Sequence, residues 1–298
     1  MKRALVLSGG GSKGAFEVGA IDYLVHQRRM DFQTYLGTSV GALNVAILGQ
    51  ARNRGELLDQ TEKLKAIWLE ITGNHCLYDG GLLIALRLIL DGALFHPNGL
   101  RRLLEEHVDL DRLFDPASVV KVVTVALETG ELLYADSRRP DLQADYQKYI
   151  LASASIPLFF PAVPIAGKHW YDGGLRDMTP LGAVFEENPD EIIVIVTYPL
   201  GPKLEPILPE AKPRGALGAL LRSLSILTSE IAANDLQLAS AINKRHLRFP
   251  GRRRVPIRLI SPAQQLPGDS ALDFSPDSIR ENMKKGYEAA QSPRILYY

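Results

Sequence analysis

The chain has 298 residues, of which 46% are hydrophobic and 23% charged, and its 34 basic and 34 acidic side chains cancel to a formal net charge of zero. That balance argues against a general nucleic-acid binder, and the composition is that of a globular protein with a sizeable core. Cys76 is the single cysteine, so no internal disulfide can form and a reducing, cytoplasmic compartment is expected. The start, Met1 to Leu7, carries two cations, but its apolar run is too short for a signal peptide. The uncharged stretch 32–51 has the length of a membrane span, yet Gln33, Thr34, Asn44, Gly37, Gly41 and Gly49 make it a poor one.

In chain order, Ala4 to Ser8 reads as a buried strand that runs into a glycine loop and then a helix from Lys13 to Gln27. A second strand is expected over Phe32 to Leu36, followed by a buried helix from Gly41 to Gln50. A helical zone from Arg54 to Glu106 is broken near Gly73, Asp79-Gly80-Gly81 and Pro97. Val119 to Leu127 reads as a β-branched strand with a hairpin partner at Glu131 to Ala135, Tyr146 to Ala152 as a helix, and Ile192 to Thr197 as another buried strand. Five prolines between 199 and 213 exclude regular structure there. A helix over Ala216 to Arg245, a strand over Val255 to Ser261 and a helix over Ser275 to Ala290 complete the pattern. Strands alternating with helices predict an α/β fold with a mostly parallel sheet covered on both faces. The simplest organisation is one domain, 1–298, with a motif-bearing core over about 3–197, a proline-rich excursion over 199–213 and further elements over 215–298.

Three segments carry chemistry. Gly37-Thr38-Ser39-Val40-Gly41 has the Gly-x-Ser-x-Gly spacing of a nucleophile elbow, where small residues flank a strained turn that exposes the serine hydroxyl. Gly10-Gly11-Ser12-Lys13-Gly14 has the same spacing. Only Ser39, however, leaves a separate glycine loop, Gly9 to Ser12, free to donate backbone N–H groups to an oxyanion. Gly9 to Gly14 also fits the dinucleotide-binding Gly-x-Gly-x-x-Gly, with Asp31 downstream as a ribose-binding acid, so that reading stays open here. Lys13 could add positive potential or be a solvated lysine at a helix start. None of the six histidines lies in a recognisable motif, although His169 is close in sequence to Asp172. A carboxylate can replace histidine as the base where a dry site raises its pKa, and Asp172-Gly173-Gly174, at the end of a strand-like Lys168 to Tyr171, offers one. Asp79-Gly80-Gly81 repeats those letters in what reads as a turn.

With Gly9 to Gly14, Gly37 to Asn44, Ala152-Ser153-Ala154-Ser155-Ile156-Pro157 and Asp172 to Gly174 occurring in this order, the chain resembles the patatin-like phospholipases. The resemblance implies a three-layer α/β/α fold and lipid acyl ester hydrolysis by a Ser–Asp dyad without metal or cofactor. It makes Ser39 the nucleophile, Asp172 the general base and Gly9, Gly10, Gly11 and Ser12 the oxyanion hole. Thr179 stands where many members carry asparagine, and beyond Thr197 the resemblance thins.

Two segments could meet a lipid surface. Leu82 to Phe95 is a nearly all-apolar helix that could equally be core, and Lys244, Arg245, Arg248, Arg252, Arg253 and Arg254 form an acid-free basic cluster that could equally be a solvated loop. The expected partners are therefore a lipid or fatty-acyl ester and, peripherally, a membrane, with no nucleic acid. A dinucleotide-binding oxidoreductase and a non-catalytic scaffold of the same fold are the rival readings.

Overall fold

The computed structural model describes residues 1–79, 93–115, 117–210, 212, 215–243, 254–267 and 271–296. The apolar stretch 82–92 and the basic residues Lys244 to Arg253 lie outside these. One sheet takes β1 (Arg3–Leu7), β2 (Thr34–Thr38), β3 (Val119–Ala126), β4 (Leu132–Asp136), β5 (Val163–Ile165), β6 (Lys168–Asp172), β7 (Glu191–Ile195), β8 (Ile257–Ile260) and β9 (Arg294–Ile295). The spatial order is β5-β6-β3-β2-β1-β7-β8-β9, with β4 paired to β3. The five central strands, β3-β2-β1-β7-β8, are parallel, and the outer pairings are antiparallel. The expected mostly parallel sheet is therefore present.

Helices cover both faces. Strand alternation sends Leu5, Leu7, Ile193 and Ile195 into one apolar cluster, which also takes Ala15 and Phe16 of α1 (Gly14–Asp22), Val45 of α2 (Val40–Leu48) and Leu64 of α3 (Arg54–Glu70). The same layer holds Leu104 of α4 (Asn98–His107), neighbouring α5 (Leu110–Leu113), Ile150 of α6 (Tyr146–Ser153) and Ile279 of a helix near the C-terminus. Ala4, Val6, Ile192 and Val194 face the other way, against Val184 of α7 (Leu181–Phe185) and Leu236 of α8 (Gly215–Asn243). The C-terminal helix, α9 (Pro276–Ala289), crosses α1 at backbone contact: a Cβ on Gly286 would lie 1.8 Å from the Phe16 carbonyl oxygen.

Most elements start within two residues of the expectation. β2 begins at Thr34 rather than Phe32, because parallel register pairs Thr34 with Ala4, while Gln33 donates its N–H to the Arg3 carbonyl at 3.0 Å. Between Pro199 and Glu210 there is neither helix nor strand, only an isolated bridge from Leu200 to Pro206, as the prolines require. Among the described residues no helix is long and apolar enough to cross a membrane.

Candidate active site

Ser39 joins β2 directly to α2. Its backbone is at φ 57° and ψ −128°, a region that costs a non-glycine residue of order 1–3 kcal/mol. Its neighbours hold it there. The Ser39 N–H donates to Ser153 Oγ at 3.0 Å, and Thr38 Oγ1 donates to the Asp177 carbonyl at 3.0 Å. The flanking glycines leave room for the turn: a Cβ on Gly37 would lie 2.3 Å from the Gly41 carbonyl oxygen, and one on Gly41 would lie 2.6 Å from that of Leu7. The duplicate motif lacks this geometry. Ser12 is buried inside a single 3-10 turn, Gly11–Lys13, and is absent from the non-glycine residues with positive φ. The α2 N-terminus, with its partial positive charge, follows Ser39 immediately.

Strand register brings Asp172 to this turn. Thr124 of β3 pairs with Leu133 of β4 and with Asp172 of β6, so β4 and β6 lie on opposite edges of β3. Val122 pairs with Ala135 of β4 and Gly37 of β2, which places β2 on the same edge as β6. β2 ends with Thr38 opposite Val123, and Asp172 takes the next position, opposite Thr124. The acid thus occupies the edge that the chain vacates as it turns out of the sheet at Ser39. The Asp172 N–H donates to the Ser155 carbonyl at 3.0 Å, so the Ala152 to Pro157 segment anchors both residues.

The Asp172 carboxylate accepts a 2.8 Å hydrogen bond from the Gly174 N–H and lies beside the Ser39 side chain, which favours its charged form. Burial pushes its pKa up to about 7, against the opposing pull of the Gly174 N–H and the Ser39 side chain. Both residues are buried, with 4% exposure for Ser39 and 5% for Asp172.

The glycine loop lies alongside. A Cβ on Gly9 would come within 2.9 Å of Ser39 Cβ. Thr197 Oγ1 pins the loop by donating to the Gly9 carbonyl at 2.7 Å. Two of its four N–H groups are committed: Gly9 donates to Met178 Sδ at 3.2 Å, and Ser12 to the Ala271 carbonyl at 2.7 Å. Among the described residues no hydrogen bond takes the Gly10 or Gly11 N–H. Within this loop, Gly10 and Gly11 therefore hold the two N–H groups that no described acceptor engages. Lys13 is half-buried rather than solvated, and burial lowers its pKa.

Ser39 sits in the wall of an apolar cleft of about 830 Å³ including its open mouth. α2 lines it with Val40, Leu43 and Ile47, α3 with Leu64, Ile67 and Trp68, and α4 with Leu100 and Leu103. Ile156 and Phe160 close another side. Asn44 of α2 is a polar lining residue, and it is fully engaged: Trp68 Nε1 donates to its Oδ1 at 3.0 Å, while its Nδ2 donates to Glu17 Oε2 at 2.8 Å. Glu17 is completely buried, and burial holds its pKa well above the usual carboxylate range. No sequence pattern marks the roles of Glu17, Met178 and Ser153. One polar residue on a helix leaves no periodic signal.

The remaining candidates are elsewhere. His169 is exposed and paired to Glu128 at 2.7 Å, and no histidine among the described residues lines the cleft. Asp79 is exposed and accepts from Asn98 at 2.7 Å. Asp31 precedes β2, at the sheet edge opposite the glycine loop, and pairs with Arg3 at 3.2 Å. A ribose-binding acid would stand at the other end of that strand. Asp22, His26 and Glu62 gather possible metal-ligand atoms, but Lys65 already bridges the two acids at 3.1 Å each.

A family model described as patatin-like phospholipase matches residues 5–185 of the chain. The uncharacterized protein YjjU of Escherichia coli (strain K12) is 25% identical over 202 residues, which are 66% of this chain and 52% of that protein. The chain thus spans about half the length of the curated relative it matches. Among solved structures, VipD from Legionella pneumophila is similar at a TM-score of 0.48 and 15% identity, over 97% of this chain and 66% of that one.

Proposed function

The chain belongs to the patatin-like phospholipase family, and from that premise we propose that it is a serine lipid acyl hydrolase working through Ser39 and Asp172. The observation that carries the assignment is the buried carboxylate, raised to about 7 and set beside a serine on a strained turn. Near neutral pH such a group is ionised yet basic enough to accept a proton.

In the first step Asp172 takes the Ser39 hydroxyl proton as Oγ attacks the ester carbonyl carbon. The carbonyl oxygen becomes an oxyanion facing the Gly10 and Gly11 N–H groups, each worth about 3 kcal/mol of transition-state stabilisation by analogy with other oxyanion donors. The tetrahedral intermediate collapses, the ester C–O bond breaks, and Asp172 returns its proton to the departing alcohol oxygen. Water then attacks the acyl-enzyme with Asp172 taking its proton. The second collapse frees the fatty acid and restores the proton to Ser39 Oγ.

The cleft suits an acyl chain, because its lining offers burial without charge. The substrate class is thus a phospholipid or lysophospholipid ester, processed without metal or cofactor in the cytoplasm by a protein that touches membranes peripherally. The single sheet from Arg3 to Ile295 supports one domain over 1–298.

The test is covalent labelling with a fluorophosphonate and location of the modified peptide, alongside hydrolysis of a soluble short-chain ester. Label on Ser39, and loss of turnover in Ser39→Ala and Asp172→Asn, are expected. Label on Ser12, or unchanged turnover in either variant, would overturn the dyad.

A further inference from the structure

Helix α8 is longer than the sheet it crosses. Its 29 residues extend about 43 Å, whereas the five residues of β7 span about 17 Å. Among the described residues, the side chains it buries, Ala232, Ala233, Leu236, Ala239 and Ser240, all lie in its C-terminal half. The chain leaves β7 at the C-terminal edge of the parallel strands and re-enters at the start of β8, so the half before Ala232 overhangs that edge. Gly9 to Ser12 and Ser39 stand on the same edge, since each follows the C-terminal end of its own strand.

The overhang is apolar and nearly uncharged. Between Gly215 and Ile231 its charged residues are Arg222 and Glu230, and Arg222 is tied to the Pro209 carbonyl at 2.9 Å. Leu220, Leu224, Leu227 and Ile231 recur at helical spacing on one face, with Leu220 and Leu227 46% and 59% exposed and Ile226 beside them 44% exposed. A contiguous apolar stripe of this kind on a water-facing helix marks an interaction surface.

We propose that this half of α8 lies in the surface of a lipid bilayer or micelle and presents the Ser39 edge to it. A lipid surface fits because a helix satisfies its own peptide groups, and an apolar face with few charges gains by entering the headgroup–acyl boundary. The choice of lipid rests on the acyl hydrolase reading, and the overhang sits where such a substrate must arrive.

Co-flotation with phosphatidylcholine vesicles tests this without any turnover. The native protein should float with the vesicles, and Leu220→Asp with Leu227→Asp should lower the bound fraction about tenfold or more, with the circular dichroism and the soluble-ester turnover of the native protein. In a separate Leu227→Trp variant, the indole emission should shift to the blue on adding vesicles. Failure of the native protein to float, equal flotation of the double variant, or an unshifted emission would overturn the docking. So would a concentration-dependent dimer in sedimentation equilibrium that the same double substitution abolishes, because the face would then belong to a second copy of the chain. Ester turnover without flotation removes the docking and keeps the hydrolase; flotation without turnover does the reverse.

Discussion

An aspartate that water reaches freely is too weak a base to deprotonate a serine. The dry setting of Asp172 changes both its chemistry and its effect on stability. As the proposed base it must be ionised, so kcat/KM for a short-chain ester should rise with pH through about 7 and then level off, as a pH–rate profile would show. Stability runs the other way. The folded state keeps a proton on Asp172 that the unfolded chain loses near pH 4, so this group's contribution is fully present below about pH 4 and is lost as pH climbs through about 7. Asp172→Asn removes that loss. At pH 8 it should be up to about 4 kcal/mol more stable in urea denaturation and close to native at pH 4, while turnover falls about 10²–10⁴-fold. Ser39 and Asp172 stand out in the sequence because glycines bracket one and follow the other. Ser153, Glu17 and Met178 do not, because their roles exist only through partners more than twenty residues away.

At the scale of elements, α8 is fastened to the loop after Asp172 by two acids. Asp235 of α8 and Asp177 are hydrogen-bonded to each other, and Tyr134 of β4 donates to Asp177 Oδ2 at 2.5 Å. Burial raises the pKa of both, and the Asp177 charge raises Asp235 further; Glu186 adds negative potential at Tyr134. The pair is stable while it holds a proton, so its contribution disappears as rising pH removes it. Asp235→Asn keeps a donor for Asp177 and abolishes the repulsion. The native protein should lose thermal stability between pH 7 and 9, and the variant should lose about 1–2 kcal/mol less over that range. The helix itself was evident from composition, as were the buried strands from their β-branched runs. The seating of its C-terminal half and the overhang of its N-terminal half were hidden, because apolar residues occur along its whole length.

For the whole molecule, the first and last helices meet at a glycine-permitted crossing. A Cβ on Gly286 would lie 1.8 Å from the Phe16 carbonyl oxygen, and one on Gly19 would lie 1.8 Å from that of Met283. Gly286→Val should therefore cost about 3 kcal/mol or more in chemical denaturation, and it should broaden or split the transition if the two ends of the chain uncouple. The parallel core was readable in the alternation of strands and helices. The placement of β6 on the edge used by β2 was not, since nothing in a five-residue strand says which neighbour it will choose.

That shared edge makes the spacing between serine and acid a property of backbone register, indifferent to how much chain separates them. The turn from β5 to β6 at Ala166 and Gly167 is exposed, and a Cβ on Gly167 would meet nothing within 4 Å. A flexible insert there should leave ester turnover within a few-fold of native, because loop entropy grows slowly with length. A single residue inserted between His169 and Asp172 should abolish turnover in a chain that still folds, because a one-residue slip turns the carboxylate to the opposite face of the sheet. Register therefore tolerates change at the hairpin tip and forbids it along the four residues before the acid.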